Sequence, residues 1–209
     1  MYKKYFKRIF DIIGAMIILP FVLVEIIILA PIIWLTDKGP IFYNAERNGR
    51  FGKKFKMFKL RSMYVNSKDI RNADGSTFNS DKDPRVTPVG RIMRKTSLDE
   101  FPQFINVLLG DMSFVGPRPT IGDVDYSTME GDRKKRYSIQ PGVTGYSQAY
   151  YRNSISQENK FKYDAYYADH VTFWMDVKVL FMTFWSVIGS KNINTEQSCK
   201  NPSEGLRTK

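Results

Sequence analysis

Apolar positions gather into two long runs, set in a chain otherwise punctuated by charges, glycine and proline. From Ile12 to Leu35 the sequence is almost purely apolar, interrupted by Gly14, Pro20, Glu25 and Pro31. As a helix this run reaches about 36 Å, enough for a hydrocarbon core of about 30 Å. It predicts a membrane helix. A secretory signal would fit the basic start (Lys3, Lys4, Lys7, Arg8), but the run is too long and no small-residue cleavage site follows it. Pro20 removes a backbone donor and tends to kink a helix, and Glu25 near the centre carries an insertion cost of at least about 2.5 kcal/mol. The second run, Val171 to Gly189, is divided by Asp176 and Lys178 and holds Phe173, Trp174, Phe184 and Trp185. It fits an amphipathic helix in a membrane interface, or a core helix, equally well.

Between the runs the pattern is weaker. A turn at Asp37 to Pro40 leads to a strand-like Ile41-Phe42-Tyr43 and a basic loop, Glu46 to Lys54. Phe55 to Met63 alternates imperfectly and suits a strand or one helical turn. Residues 64–88 are polar and predict a loop; helical spacing resumes from Val89 through Leu109. The segments 110–119 and 139–148 predict glycine- and proline-rich loops, and 154–169 a helix. The tail from Lys191 is polar. The expected fold is α+β and mainly helical. Residues 1–36 would be a membrane helix, 37–190 a compact cytosolic domain with interfacial amphipathic helices, and 191–209 a polar tail.

Charge changes this picture more than composition does. The chain carries 32 Lys+Arg against 21 Asp+Glu, a net charge of +11, which alone would admit nucleic acid or an anionic membrane as partner. Yet basic residues flank the first apolar run on both sides: Lys3 to Arg8 before it, then Lys38, Arg47, Arg50, Lys53, Lys54, Lys56, Lys59 and Arg61 after it. Cytoplasmic flanks are the basic ones. A straight span must break that rule once, whereas a helix that enters, bends near Pro20 or Glu25 and returns satisfies it twice. The re-entrant form is therefore expected, with one ordinary span as the alternative. The lone cysteine, Cys199, excludes an internal disulfide and a cysteine-rich zinc site.

The densest cluster of chemical groups runs from Arg91 to Gln103 and contains Arg94, Lys95, Ser97, Asp99 and Glu100. Ser97-Leu98-Asp99-Glu100 fits a capping box, an ordinary structural device. It also fits an anion site, since a helix start attracts phosphate and three basic side chains precede it. An Asp there stays ionised, as a carboxylate nucleophile at phosphorus requires. A divalent cation held by one or two carboxylates and phosphate oxygens would offset the repulsion. Arg118, between Pro117 and Pro119, is suited to bidentate phosphate recognition or is a surface arginine in a rigid turn. Lys59 and Arg61 are open in the same way between substrate phosphate and lipid headgroups. His170, the only histidine, has no triad-like surroundings, and there is neither a P-loop nor GxGxxG.

Together, KLRSM (59–63), RKTSLDEFPQFINVLLGDMSFVGPRP (94–119) and QPGVTGYSQ (140–148) resemble the bacterial sugar transferases, the monotopic phosphoglycosyl transferases. The resemblance covers nearly the whole chain, from KRIFDIIG (7–14) to MDVK (175–178). With no multi-span region ahead of the domain, it is to the small catalytic-core members. It implies transfer of a sugar-1-phosphate from a UDP-sugar to polyprenol phosphate (undecaprenyl phosphate), giving polyprenol-diphosphate-sugar and UMP. The setting would be the cytoplasmic face of the bacterial inner membrane, at the first membrane step of glycan assembly. On this resemblance Asp99 is the nucleophile that forms a covalent phosphosugar intermediate. Glu100 is its partner in metal binding or proton handling, and Mg²⁺ is the cofactor, with Asp99 and Glu100 as its ligands. Lys59, Arg61, Arg94, Arg118 and Gln148 are expected on the substrate side; a homo-oligomer is left open. Family members commonly carry Ser-Pro at the helix break; here Val24-Glu25 occupies that region. Two other classes compete: a non-catalytic adaptor binding anionic lipid, indifferent to Asp99 and Glu100, and a nucleic-acid binder. The charge clustered around an apolar anchor argues against the latter.

Overall fold

The computed structural model describes residues 1–68, 70, 80, 83–151 and 155–188. The chain opens with a π-helical turn, Tyr2–Phe6, continuous with α1, Lys7–Asp37. α1 remains helical through Pro20 and Pro31, each of which lacks one ladder donor. It ends where Lys38 turns left-handed (φ 54°) and its N–H returns to the Trp34 carbonyl. Only 11% of its most apolar stretch is buried. That leaves Ile13, Ile17, Phe21, Ile27, Ile28 and Leu35 exposed, far more apolar surface than a helix of a soluble domain presents.

One side of α1 is nevertheless fully engaged. Arg8 donates to the carbonyls of Val107 and Leu108, while Asp11 accepts from Ser113 Oγ and the Phe114 N–H, both at 3.0 Å. Ala15 enters a core with Phe55, Met57, Val107 and Met112; Ile33 enters another with Leu60 and Met93. At the far end Asp37 takes the Arg61 fork at 2.6 Å on each oxygen. Both ends of the apolar helix are thus fastened to the same domain.

That domain is mainly helical with two small sheets. β1 (Ala45–Asn48) pairs antiparallel with β2 (Lys54–Met57) in the register Ala45↔Met57 to Asn48↔Lys54. Phe51 and Gly52 turn left-handed between them. α2 (Pro88–Thr96) starts with Pro88 at its first position and Thr87 capping the Gly90 N–H at 2.9 Å. α3 (Gln103–Leu109) stops at Gly110, φ 97°. β3 (Ser113–Val115) pairs parallel with β4 (Gly142–Thr144), with α4 (Gly131–Arg136) between them in sequence. α5 (Tyr146–Tyr151), α6 (Gln157–Asp169) and α7 (Phe173–Ile188) complete it. A third core joins Val115, Ile139, Ala149, Tyr167 and Val179.

The α+β, mainly helical expectation holds, with local corrections. The expected strand at 41–43 is a single bridge, Phe42↔Leu60, and the strand lies instead within the predicted basic loop as β1. The predicted loops at 110–119 and 139–148 contain β3, β4 and the start of α5, because long-range pairing makes strands of segments whose local signals are turn-like. Residues 69, 71–79, 81 and 82 of the 64–88 loop, and the tail, lie outside the described residues. In α7, Asp176 is buried, accepting from Tyr2 and Tyr167 hydroxyls and from Lys7 at 2.7 Å, and Val179 is fully buried. Trp174, Phe181, Phe184 and Trp185 face outward, so the helix is amphipathic rather than a fully buried core helix.

Candidate active site

The capping box expected at Ser97 is not formed. Ser97 is left-handed (φ 60°) and closes α2, with its N–H returning to the Met93 carbonyl. Asp99 and Glu100 lie in a separate 3-10 turn, Leu98–Glu100, wedged between α2 and α3. Tertiary contact decides this. The Leu60 N–H bonds the Asp99 carbonyl at 3.0 Å, and Leu60 and Met93 fill the core beneath the turn.

That backbone bond brings Lys59 to the acids. Its Nζ lies 2.8 Å from Asp99 Oδ2 and 3.2 Å from Glu100 Oε1. Lys59 is steered by its neighbours: Asn106, fully buried on α3, accepts from the Phe58 N–H and donates to the Lys56 carbonyl, each at 2.8 Å. The Tyr43 N–H holds the Lys59 carbonyl at 2.8 Å. Asn106 escaped the sequence analysis; its signal was a polar amide within an otherwise apolar helical stretch.

Arg118 completes the cluster, with Nη2 3.1 Å from Glu100 Oε1. Its turn follows a close backbone crossing, where a Cβ on Gly142 would sit 2.1 Å from the Gly116 nitrogen; only glycine fits there. Burial would raise the Glu100 carboxyl, but the charges of Arg118 and Lys59 overcome it and hold Glu100 down at about 2. Glu100 is therefore anionic throughout the physiological range. Asp99 is 2% exposed, and its Oδ2 faces Lys59 as an ion pair without accepting a hydrogen bond. The result is a buried carboxylate oxygen with a nearby cation and unused accepting capacity.

The other expected site residues distribute unevenly. Arg61 is engaged away from the acids. It is 6% exposed, and its guanidinium is occupied by Asp37 and by the carbonyls of Pro40, Met63 and Ile33, so it fastens α1 rather than facing a ligand. Arg94 donates to Ser62 Oγ at 3.0 Å rather than to either acid. Gln148 lies on α5 near the Gly116–Gly145 crossing, and its Oε1 is buried without a partner. Glu25, within α1, keeps both carboxylate oxygens buried and unpartnered, within electrostatic reach of Asp99; α1 is continuous there and at Pro20. Among the described residues no three His, Cys, Asp or Glu side chains gather as a metal cluster, so a cation could draw on Asp99 and Glu100 and otherwise on ligand oxygens. His170 packs on Tyr166, ring centroids 4.3 Å apart, as a structural histidine.

A buried acid beside a second acid, with two cations converging on them, is an arrangement that can bind phosphate and attack phosphorus. The comparisons with known proteins agree with the extent of this architecture. The family described as Bacterial sugar transferase matches residues 2–190. An uncharacterized sugar transferase, EpsL, of Bacillus subtilis is 37% identical over 188 residues, covering 90% of this chain and 89% of its own. The UDP-galactose-lipid carrier transferase of Erwinia amylovora is 38% identical over 89% of this chain, and the undecaprenyl-phosphate galactose phosphotransferase of Salmonella typhimurium 38% identical over 87%. This chain spans only 41% and 40% of those two proteins. With a match running through every described element from the first helical turn to α7, the chain belongs to the bacterial sugar transferase family.

Proposed function

We propose that the protein is a phosphoglycosyl transferase that moves a sugar-1-phosphate from a UDP-sugar to undecaprenyl phosphate through an aspartyl intermediate. The observation that carries this is the buried Asp99 Oδ2, held 2.8 Å from Lys59 yet without a hydrogen bond. An Asp99 oxygen bonds to the β-phosphorus as the bond from that phosphorus to the bridging oxygen breaks, and UMP leaves. An oxygen of the lipid phosphate then bonds to the same phosphorus, and Asp99 departs as a carboxylate. Lys59 and Arg118 hold the non-reacting phosphate oxygens and stabilise the charge that develops on them. Arg94 and Gln148 stand on the same substrate side in this reading. Named relatives support the reaction class: transferases acting on undecaprenyl phosphate with galactose or glucose-1-phosphate are among them.

Asp99 and Glu100 fit Mg²⁺, which typically takes one or two carboxylates together with phosphate oxygens. When bound it would neutralise charge on the diphosphate. For the membrane, we infer a re-entrant α1 lying with α7 at the cytoplasmic face of the inner membrane. The support is physical: α1 exposes a long apolar surface, while Arg8 and Asp37 fasten its two ends to one domain. Outward Trp174, Phe181, Phe184 and Trp185 suit the headgroup region.

Intact-mass measurement of the protein incubated with a panel of UDP-sugars and Mg²⁺, without lipid, tests the chemistry. One donor should add a phosphosugar and release UMP in equal amount. Full turnover by Asp99→Asn would sink the nucleophile assignment.

A further inference from the structure

Arg118 has a positional problem. Its guanidinium is 54% exposed, so packing does not fix it, and Pro117 and Pro119 contribute no N–H to hold the turn. The turn's carbonyls must be held from outside. The Gly142 N–H takes the Pro117 carbonyl at 3.0 Å, and the Asn48 N–H takes that of Thr120, also at 3.0 Å. The Arg118 carbonyl itself is taken by Nη2 of Arg136, the last residue of α4.

Arg136 is itself held by several contacts. Its Nε lies 2.8 Å from Asp164 Oδ2 on α6, with the two side chains 5% and 2% exposed. The guanidinium also lies over the Phe161 ring, 5.0 Å from its centroid. The other Asp164 oxygen accepts from Ser147 Oγ at 2.7 Å. Ser147 precedes Gln148 on α5. One carboxylate therefore registers two separate substrate-facing segments, the Arg118 turn and the start of α5. A buried ion pair is a weak source of stability, because desolvation opposes its attraction, but it defines geometry sharply.

We propose that Arg136 and Asp164, with Ser147, are positioning residues that hold the Arg118 guanidinium in register with Gln148 for the donor's phosphates. This rests on the transferase reading above. The test is a double-mutant cycle on kcat/KM for the UDP-sugar, measured as UMP release in detergent with Mg²⁺. Arg136→Lys keeps the charge but loses the fork that reaches the Arg118 carbonyl. It should lower kcat/KM about tenfold in the wild-type background and less than about twofold when Arg118→Ala is already present. A merely structural role predicts the same loss in both backgrounds, and that additivity would overturn the proposal. Should Arg136→Lys fail to fold, Ser147→Ala decides in the same cycle. It removes one hydroxyl, and a loss of about threefold should appear only when Arg118 is present. Equal losses in both backgrounds, or no loss in either, overturn the coupling while leaving the transferase reading intact. A wild-type protein inert towards every donor overturns both together.

Discussion

Asp99 and Asp164 are buried to the same degree, each 2% exposed, and each faces a cation at 2.8 Å. They differ in what remains of their accepting capacity. Both Asp164 oxygens are occupied, one by Arg136 and one by Ser147. Asp99 Oδ2 accepts no hydrogen bond, and its lysine is shared with Glu100. A saturated buried carboxylate organises backbone around it; an unsaturated one keeps a lone pair for a ligand, at a cost in stability. Between these two aspartates, then, depth and charge do not tell which one reacts, and occupancy does.

The sharpest way to break the comparison is to convert both acids to amides. Asp99→Asn should reduce UMP release by at least about 10³-fold, since the amide cannot serve as the nucleophile. Its thermal stability in detergent should hold or rise, because Lys59 keeps Glu100 as partner and an under-bonded buried charge is gone. Asp164→Asn should do the reverse. It leaves the Arg136 charge buried without its counter-ion, a change that typically costs about 3–5 kcal/mol, while residual activity per folded molecule falls far less than for Asp99→Asn. Equal loss of stability in both variants would dissolve the distinction.

Lys59 tests the reactive side at smaller amplitude. Lys59→Met should lower kcat/KM about 10- to 100-fold, the range expected for one charge-assisted hydrogen bond to the donor's phosphate oxygens. Arg61, two residues on, should behave oppositely. Arg61→Lys loses the bidentate grip on Asp37 and should lower the melting temperature, with kcat/KM for the folded protein within about twofold of wild type. If Arg61→Lys raises KM for the donor tenfold with no thermal effect, then Arg61 belongs to the substrate side after all.

This pair also marks where sequence reasoning stops. The long apolar run and the Asp99-Glu100 cluster were legible, because each is written in consecutive positions. For α7 the sequence left an interfacial and a core helix equally open, and the structure exposes its aromatic face. Lys59 and Arg61 were not separable, since both are basic and both flank Leu60. What separates them is which acid returns through space, Asp99 and Glu100 to one and Asp37 to the other. The Ser97 capping box was misread for a related reason. Its local pattern is sound, but the Leu60–Asp99 backbone bond and the core under it prevail. Arg136, Asp164 and Ser147 left no local trace, because their association joins α4, α6 and α5 only after folding.

Asp83 extends the comparison to a third buried acid, and gives the smallest and most specific effect. Its side chain is fully buried and held by Arg85, Nε to Oδ1 at 2.9 Å and Nη2 to Oδ2 at 2.7 Å, with the Arg85 N–H adding a third bond at 3.0 Å. The Arg85 side chain thereby lowers the Asp83 carboxyl below its ordinary 3.8, and burial only partly opposes this. Between the ordinary and the lowered value the unfolded chain binds more protons than the folded one, so stability there rises with pH. The Asp83 contribution is consequently complete above the ordinary value and is lost as pH falls below it towards the lowered one. Melting temperatures of wild type and Asp83→Asn should differ by a constant amount between pH 5 and 8, and converge as the pH is taken below about 4. A gap that changes between pH 6 and 8 would point to a different titrating group. Since both Asp83 oxygens are occupied, as in Asp164, kcat/KM should keep the same pH profile in both proteins; a shifted profile would mean that a saturated carboxylate can still govern the chemistry, and occupancy would no longer separate the two kinds of buried acid.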